Sequence, residues 1–232
     1  MELFKTKLEK TTVFSNYTDY HSHLLPGVDD GIKTSEDSIA VLRRYEELGV
    51  KRVWLTPHVM EDIPNRPADL RQRFAELQSL YGGSIELRLS AENMLDNLFE
   101  ARLESDDVLT IGDSADQLLV ETSYFSSPVN FWEIIDRIQR RGYHVLLAHP
   151  ERYRYMDNCD YERLKEMQVR FQLNVPSLIG FYGKLAKKNA EWLLARGYYD
   201  TTGYDIHSPR ALEFILKGEI SRKQLKRLIN LM

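Results

Sequence analysis

The 232-residue chain has one cysteine, Cys159, which excludes an intrachain disulfide and any zinc-thiolate framework. It has no run approaching eighteen uninterrupted apolar residues, which excludes an apolar membrane-spanning helix. The opening stretch MELFKTKLEKTTVFSNYTDY lacks the continuous apolar core of a secretory signal, so a cytoplasmic location is expected. There is no excess of base: 31 Lys and Arg against 35 Asp and Glu leave a net charge of −4, which argues against nucleic acid as the main partner. Low-complexity tracts, long Gly/Ser/Pro linkers and repeats of residue identity are also missing, so one domain is expected. What the chain does have is a 43% apolar fraction, enough for a core, and an unusual placement of its six histidines. Five of them fall in four clusters, His21-Ser-His23, Thr-Pro-His58, Ala-His149-Pro and Asp205-Ile-His207, and each cluster follows a short apolar stretch.

The stretches between the clusters alternate in period. Ile39, Leu42, Tyr45 and Leu48 predict a helix over Ser35 to Leu48, with acidic residues in its first turn and Gly49 after its last. The β-branched and aromatic run Val50 to Leu55 predicts a strand that delivers His58. A helix over Asp69 to Tyr81 and a strand over Ile85 to Leu89 lead to Glu92, and Leu118 to Val120 leads to Glu121. A helix over Val129 to Arg141 and a strand over His144 to Leu147 lead to His149. A strand over Phe171 to Val175, a helix over Lys184 to Arg196 and a short segment then deliver Asp205 and His207, before helices over Pro209 to Leu216 and Ser221 to Leu231. Strands alternating with helices across short connections imply a parallel sheet. Ligand-type residues at so many strand ends imply a closed α/β barrel, since a barrel gathers its C-terminal strand ends at one mouth.

In an extended segment, residues i and i+2 share a face, so His21 with His23 and Asp205 with His207 can each reach one metal ion. Pro26-Gly27 is a turn signal that can return Asp29 or Asp30 to the same mouth. A carboxylate at a buried mouth, such as Glu92 or Glu121, needs a counter-cation. Each residue also has a plainer reading. Asp205 or Ser208 can cap a helix, His58 and His149 can be caps or core residues, Glu92 can open a solvated loop, and Glu121 can pair with an arginine. His144 begins a strand instead of following one, and is read as structural. The candidates His21, His23, Asp30, His58, Glu92, Glu121, His149, Asp205 and His207 exceed the ligand positions around one ion, so two or three divalent ions are implied. Nitrogen and oxygen donors without thiolate suit manganese, iron or zinc.

The segments HSHLLPGVDDG, TPH, AEN, VETS, LLAHPERY and YDIHS, in this order, resemble the polymerase and histidinol phosphatase (PHP) superfamily. Within it they are most similar to the bacterial capsular polysaccharide tyrosine phosphatases. The resemblance covers Asp19 to the C-terminus, and divides the chain into an N-terminal extension, residues 1–18, and a single domain, residues 19–232. It implies a distorted (β/α)7 TIM-like barrel with a trinuclear site at the strand C-termini. It also implies a ligand assignment: His21, His23 and Asp205 on one ion, Glu121 and His149 on a second, Glu92 bridging these two, and Asp30, His58 and His207 on the third. Manganese is the expected metal. Arg152 matches the phosphate-contacting arginine, a role that suits a bidentate guanidinium; its plainer reading is a salt bridge with Glu151 or Asp157.

The activity implied is hydrolysis of phosphotyrosine by in-line attack of water, with the ions and Arg152 neutralising phosphoryl charge, and with Asp205 or a metal-bound water as proton donor. A thiol phosphatase is excluded independently, since the sixth residue after Cys159 is Lys165 instead of arginine and no glycine loop lies between. The substrate implied is the tyrosine-rich tail of a bacterial tyrosine autokinase that controls capsule or exopolysaccharide synthesis. The rivals are a small-molecule phosphatase such as a histidinol phosphatase, a DNA-processing module disfavoured by the pI of 5.9, and a non-catalytic metal-stabilised scaffold that docks a kinase. The chain departs from its Gram-positive relatives after the sixth strand, where it has Asn174-Val-Pro-Ser-Leu-Ile-Gly and then Phe181-Tyr182-Gly183, so a different substrate rim is expected. The oligomeric state is not encoded in any pattern found.

Overall fold

Short β-branched runs bounded by turn formers extend into strands, and the amphipathic stretches between them return the chain as helices. The computed structural model describes residues 5–232. Its strands are β1 (Lys5–Lys7), β2 (Thr18–Asp19), β3 (Arg52–Leu55), β4 (His58–Val59), β5 (Glu86–Leu89), β6 (Glu92–Met94), β7 (Gln117–Glu121), β8 (His144–Ala148), β9 (Arg170–Asn174), β10 (Thr201–Gly203) and β11 (Glu219–Ser221). Its helices are α1 (Ser35–Leu48), α2 (Pro67–Leu80), α3 (Phe99–Glu104), α4 (Phe131–Arg140), α5 (Asn158–Glu166), α6 (Val175–Ile179), α7 (Gly183–Arg196), α8 (Pro209–Leu216) and α9 (Arg222–Ile229). Among the described residues no helix is long and apolar enough to cross a membrane.

Local chemistry sets the helix ends. Thr34 caps α1 by accepting from the Asp37 amide at 3.2 Å, and Gly49 closes it at φ 96°. Helix α2 starts at Pro67, ahead of the expected Asp69, because a proline in the first turn has no amide to satisfy. Helix α9 starts after Ser221, which is its cap, with Gln224 completing a capping box. Helices α3, α5 and α6 have no counterpart in the sequence reading: at six and five residues α3 and α6 are too short for a 3.6-residue period to stand out, and the nine residues of α5 bury only Tyr161 and Leu164.

All pairings among β2 to β10 are parallel. Six strands run in the order β10-β9-β8-β7-β6-β4, and β2, β3 and β5 form a second group. Strands β3 and β4, like β5 and β6, are one run of chain with a two-residue interruption. Hydrogen bonds cross these interruptions: the Thr56 amide donates to the Ser22 carbonyl at 2.8 Å and the Glu92 amide to the Pro57 carbonyl at 3.0 Å. The two ends of the arrangement also meet, because the His23 amide donates to the Ile206 carbonyl at 3.0 Å and the Asp205 amide to the His21 carbonyl at 2.8 Å. The result is a mixed α/β fold with a curled parallel sheet of half-barrel form.

Side chains alternate across that sheet as a period of two requires. Leu118, Val120, Val145 and Leu147 join the main core with Ile134, Ile135 and Ile138 of α4. Their neighbours Leu119, Leu146 and Ala148 form a smaller cluster with Trp54 and Ile111 inside the curl. The segment before Asp19 belongs to the packed body: β1 pairs antiparallel with β11, and Leu8, Val13, Phe14 and Tyr17 are buried in the main core. Residues 1–4 of the expected extension lie outside the described residues. Phe14 stacks on Tyr204 with ring centroids 4.8 Å apart, directly before Asp205. Phe14→Ala is therefore expected to cost about 3–5 kcal/mol of stability. Denaturant unfolding checks this, and a loss below about 1 kcal/mol would show that the segment is not part of the cooperative unit.

Candidate metal centre

The curl brings nine ligand-type side chains from separate strand ends into one cluster. His21 and His23 follow β2 on one face, with their Nε2 atoms 3.1 Å apart. Asp205 Oδ1 lies 3.5 Å from His21 Nε2 and 3.1 Å from His23 Nε2. Glu92, first residue of β6, places Oε2 at 3.1 Å from His21, 3.3 Å from His23 and 3.2 Å from His58, and its Oε1 at 2.8 Å from His149 Nε2. Glu121, last residue of β7, puts Oε1 at 2.8 Å from His58 Nδ1 and Oε2 at 3.9 Å from His149. At the outer edge Asp30 Oδ1 lies 3.5 Å from His58 Nε2 and 3.4 Å from His207 Nε2.

Two chain features make this approach possible. Gly203 touches the back of His21, where a Cβ would stand 2.3 Å from the His21 Cβ, so any side chain there would displace the ring. His149, directly after β8, adopts φ 34° and so leaves the extended conformation of the strand at the point where its ring meets Glu92.

The donor set fits divalent cations. Ligand atoms held about 2.0–2.2 Å from one ion are themselves about 3–3.5 Å apart, which is the spacing found here. Four groups have donors that all lie within 4.8 Å of one another: His21-His23-Glu92, His21-His149-Asp205, His58-Glu92-Glu121 and His23-Asp30-His58-His207. His58 Nδ1 and Glu121 Oε1 are buried and 2.8 Å apart, yet among the described residues neither makes a well-directed hydrogen bond, as expected of atoms aimed at a shared cation. The electrostatics point the same way. Burial opposes charging of His21, but Glu92 and Asp205 raise it to about 9; His23 is likewise raised despite its burial. Burial, then Glu92, raises Glu121, whereas burial, reinforced by Arg152, lowers His149 to about 4. A cluster of carboxylates that draws protons onto buried imidazoles is a cluster that divalent cations neutralise.

Outer contacts aim the rings. His21 Nδ1 faces Gln172 Oε1 at 2.5 Å, His23 Nδ1 faces Asp29 Oδ2 at 2.8 Å and His207 Nδ1 faces the Asp205 carbonyl at 2.9 Å, leaving each Nε2 for the cluster. The DDG turn thus uses both acids, Asp30 at the edge and Asp29 behind His23. The sequence reading names Asp29 only as an alternative to Asp30 and omits Gln172, whose polar side chain inside strand β9 is the one available signal. Asp19 is another buried acid behind the site. It accepts from the Tyr45 hydroxyl at 2.9 Å and from the His21 and Tyr204 amides, and burial raises it to about 6 against those bonds.

The plainer readings find other owners. Ser208, not Asp205, caps α8. Glu121 meets His58 where an arginine had been the alternative, and Glu92 is 1% exposed. Arg152 pairs with neither Glu151 nor Asp157: its Nη1 donates to Asp205 Oδ2 at 2.7 Å, and its guanidinium lies 3.9 Å from the Tyr182 ring centre and 4.4 Å from that of Tyr124. Asp157 caps α5, and Glu151 is buried under Arg152, accepting from the Asn174 amide, Ser177 Oγ and the Tyr199 hydroxyl. His144 lies outside the cluster, exposed, 3.9 Å from Asp116.

Comparison with known proteins adds relatives of one kind. Residues 17–216 match the family model described as capsular polysaccharide synthesis, CpsB/CapC. The chain is 28% identical over 202 residues to tyrosine-protein phosphatase YwqE of Bacillus subtilis, covering 84% of this chain and 79% of that one. It is 26% identical over 210 residues to tyrosine-protein phosphatase CpsB of Streptococcus pneumoniae, covering 82% of each. Among solved structures it resembles one from a pair, YwqE of Bacillus subtilis and CpsB of Streptococcus pneumoniae, described as metal-dependent tyrosine phosphatases; the TM-score is 0.79 at 23% identity, over 92% of this chain and 86% of that one.

Glu151 gives the site a pH signature that is separable from its ligands. Burial raises its carboxyl from 4.5 to about 7, so the folded form holds a proton that the unfolded chain has released. The stability associated with that proton is fully present below pH 4.5 and is lost as pH rises through about 7. Relative to Glu151→Gln, the natural chain is expected to lose about 3 kcal/mol between pH 4.5 and pH 8, measured by denaturant unfolding of both proteins. A constant difference across that range would show that Glu151 is ionised in the folded protein.

Proposed function

Since the chain belongs to the CpsB/CapC capsular polysaccharide synthesis family, we propose that it is a metal-dependent phosphatase of phosphotyrosine in proteins. The observation that carries this reading is the position of Arg152. A permanent cation sits between two tyrosine rings at the rim of a buried histidine and carboxylate cluster. That combination suits a phosphate on a flat aromatic ring.

In this reading His21, His23 and Asp205 would hold one ion, Glu121 and His149 a second, with Glu92 a donor to both, and Asp30, His58 and His207 a third. Manganese suits these oxygen and nitrogen donors, with iron or zinc as alternatives, and two ions suffice if the exposed Asp30 edge is left empty. Divalent cations in these groups supply Lewis-acid neutralisation of the phosphoryl charge. Arg152 adds donors of its own: one N–H is committed to Asp205, and the others, with no hydrogen-bond partner among the described residues, can bind phosphoryl oxygens. Tyr124 and Tyr182 fix the plane of the guanidinium and offer ring faces against which a phenyl group packs. Asp205 Oδ2 accepts from Arg152, from Asn174 Nδ2 at 2.9 Å and from the Tyr182 hydroxyl at 3.1 Å. Despite burial, His21, His207 and His23, and then Arg152, hold its carboxyl well below the usual range, so it orients Arg152 as an anion and is poorly placed to donate a proton. Phenolate is a good enough leaving group to depart without a strong acid.

The curled sheet is read as a distorted (β/α)7 TIM-like barrel, a single domain over residues 19–232 on which the N-terminal extension packs. The proposed substrate is the tyrosine-rich tail of a cytoplasmic autokinase segment, as the capsule-related family suggests. Two tests follow. Complete chelation is expected to abolish hydrolysis of phosphotyrosine peptides and metal readdition to restore it; activity that survives verified metal removal would overturn the reading. Arg152→Lys, which keeps the charge but loses the planar fork, is expected to lower kcat about 100-fold with the metal content unchanged. A kcat within about threefold of the natural chain would remove Arg152 from phosphoryl binding.

A further inference from the structure

Beside Arg152 the rim opens into a groove of about 390 Å³. Tyr124, Arg152 and Tyr182 line it and also border the cluster, so groove and site are continuous. Farther out its walls carry Phe125, Arg154 and Lys184, and no acidic side chain lines it. That is notable in a chain where acids outnumber bases 35 to 31. Several surface arginines here pair with a carboxylate, among them Arg43 with Glu46, Arg52 with Glu86 and Arg137 with Glu100. Arg154 has no such partner among the described residues: its amide donates to the Tyr124 carbonyl at 2.9 Å and its guanidinium lies 4.9 Å from the ring centre of Phe125, which is 69% exposed. Lys184, in the first turn of α7, also lacks a carboxylate partner among the described residues.

We propose that this groove holds the residues adjoining the phosphotyrosine and selects substrates that carry an acidic side chain there, through Arg154 and Lys184. The inference rests on the phosphotyrosine reading. With the phosphoryl group on Arg152 and its ring beside Tyr124 and Tyr182, the peptide leaves the site where Phe125 gives it an apolar floor. Each further residue advances the chain about 3.3–3.6 Å, so the unpaired cations meet side chains within a few positions of the tyrosine. Their anion can be a carboxylate or a second phosphoryl group, which share the charge and the acceptor oxygens. Because both cations are exposed, the selection is modest and screened by salt: about three- to tenfold for the two together at low ionic strength.

The test compares kcat/KM of the metal-loaded chain for phosphotyrosine peptides identical except for their flanks, which carry glutamate, glutamine or a second phosphotyrosine. Kd values of the matching non-hydrolysable phosphonate peptides provide a second readout. The glutamate-to-glutamine ratio is expected to be about three to ten at low salt and to shrink at high salt. It is expected to fall to about one in the double variant Arg154→Gln, Lys184→Gln and to drop below one in Arg154→Glu, Lys184→Glu. Ratios taken within one variant cancel any general loss of activity. A preference confined to the doubly phosphorylated peptide would assign the anion as phosphoryl; an equal preference for glutamate would assign it as charge alone. No preference in the natural chain for either the glutamate or the second-phosphotyrosine flank over glutamine, or a preference retained in the double glutamine variant, would overturn the subsite and leave the phosphatase reading standing. Failure to hydrolyse any of the peptides, with a small aryl phosphate still cleaved, would overturn both.

Discussion

The carboxylate of Glu92 lies within 3.3 Å of ring nitrogens from four histidines, His21, His23, His58 and His149, and is 1% exposed. An anion so enclosed among potential donors is tolerable only where positive charge is supplied, as protons on the imidazoles or as divalent cations. The rest of the molecule meets that constraint. The sheet must curl so that strand ends far apart in the chain converge, and the segments that follow β2 and β10 must bond to each other through His21, His23, Asp205 and Ile206. Gly203 must lack a side chain so that His21 can stand where it does.

Around this centre lies a ring of polar groups that touch the ligands from behind. Gln172 and Asp29 set the imidazole orientations of His21 and His23. Asp19 anchors the His21 amide, and Glu151 fixes the turn that carries Arg152. Both acids are buried with neutral donors alone, and both are raised, Asp19 to about 6 and Glu151 to about 7, so the protein bears desolvation in order to hold the turns that present its ligands. Arg152 joins the two parts of the site. Its bond to Asp205 ties it to the ligand cluster, and its place between Tyr124 and Tyr182 makes it part of the wall that an aromatic phosphate would meet.

Much of this was readable before any coordinates because ligand type and strand position are local properties. A histidine or acid just past an apolar run is visible in the sequence, and the eight residues chosen on that ground lie in the cluster, together with Asp30, which the Pro26-Gly27 turn pointed to only as one of two acids. Helix α1 was readable from end to end because its cap, its period and its terminal glycine agree. Where the signals conflict or the segment is short, reading failed. Helix α6 begins at Val175, which reads as the end of a strand, and β1 pairs with β11 across more than two hundred residues. The family resemblance begins at Asp19, yet Leu8, Phe14 and Tyr17 lie in the main core; no local pattern marks a segment whose partners are so distant.

The sequence by itself determined the kinds of donor, their order along the chain and the absence of thiolate, because these follow from residue identity and from periods of two and 3.6. Tertiary structure decided the rest. It chose which acid of the DDG turn stands behind His23 and which at the rim, gave Arg152 to Asp205 and not to a neighbour in the chain, and left Arg154 and Lys184 facing a groove without a carboxylate partner among the described residues. Those outcomes depend on register and curl, which are set by contacts between strands far apart in sequence and leave no trace in any one segment.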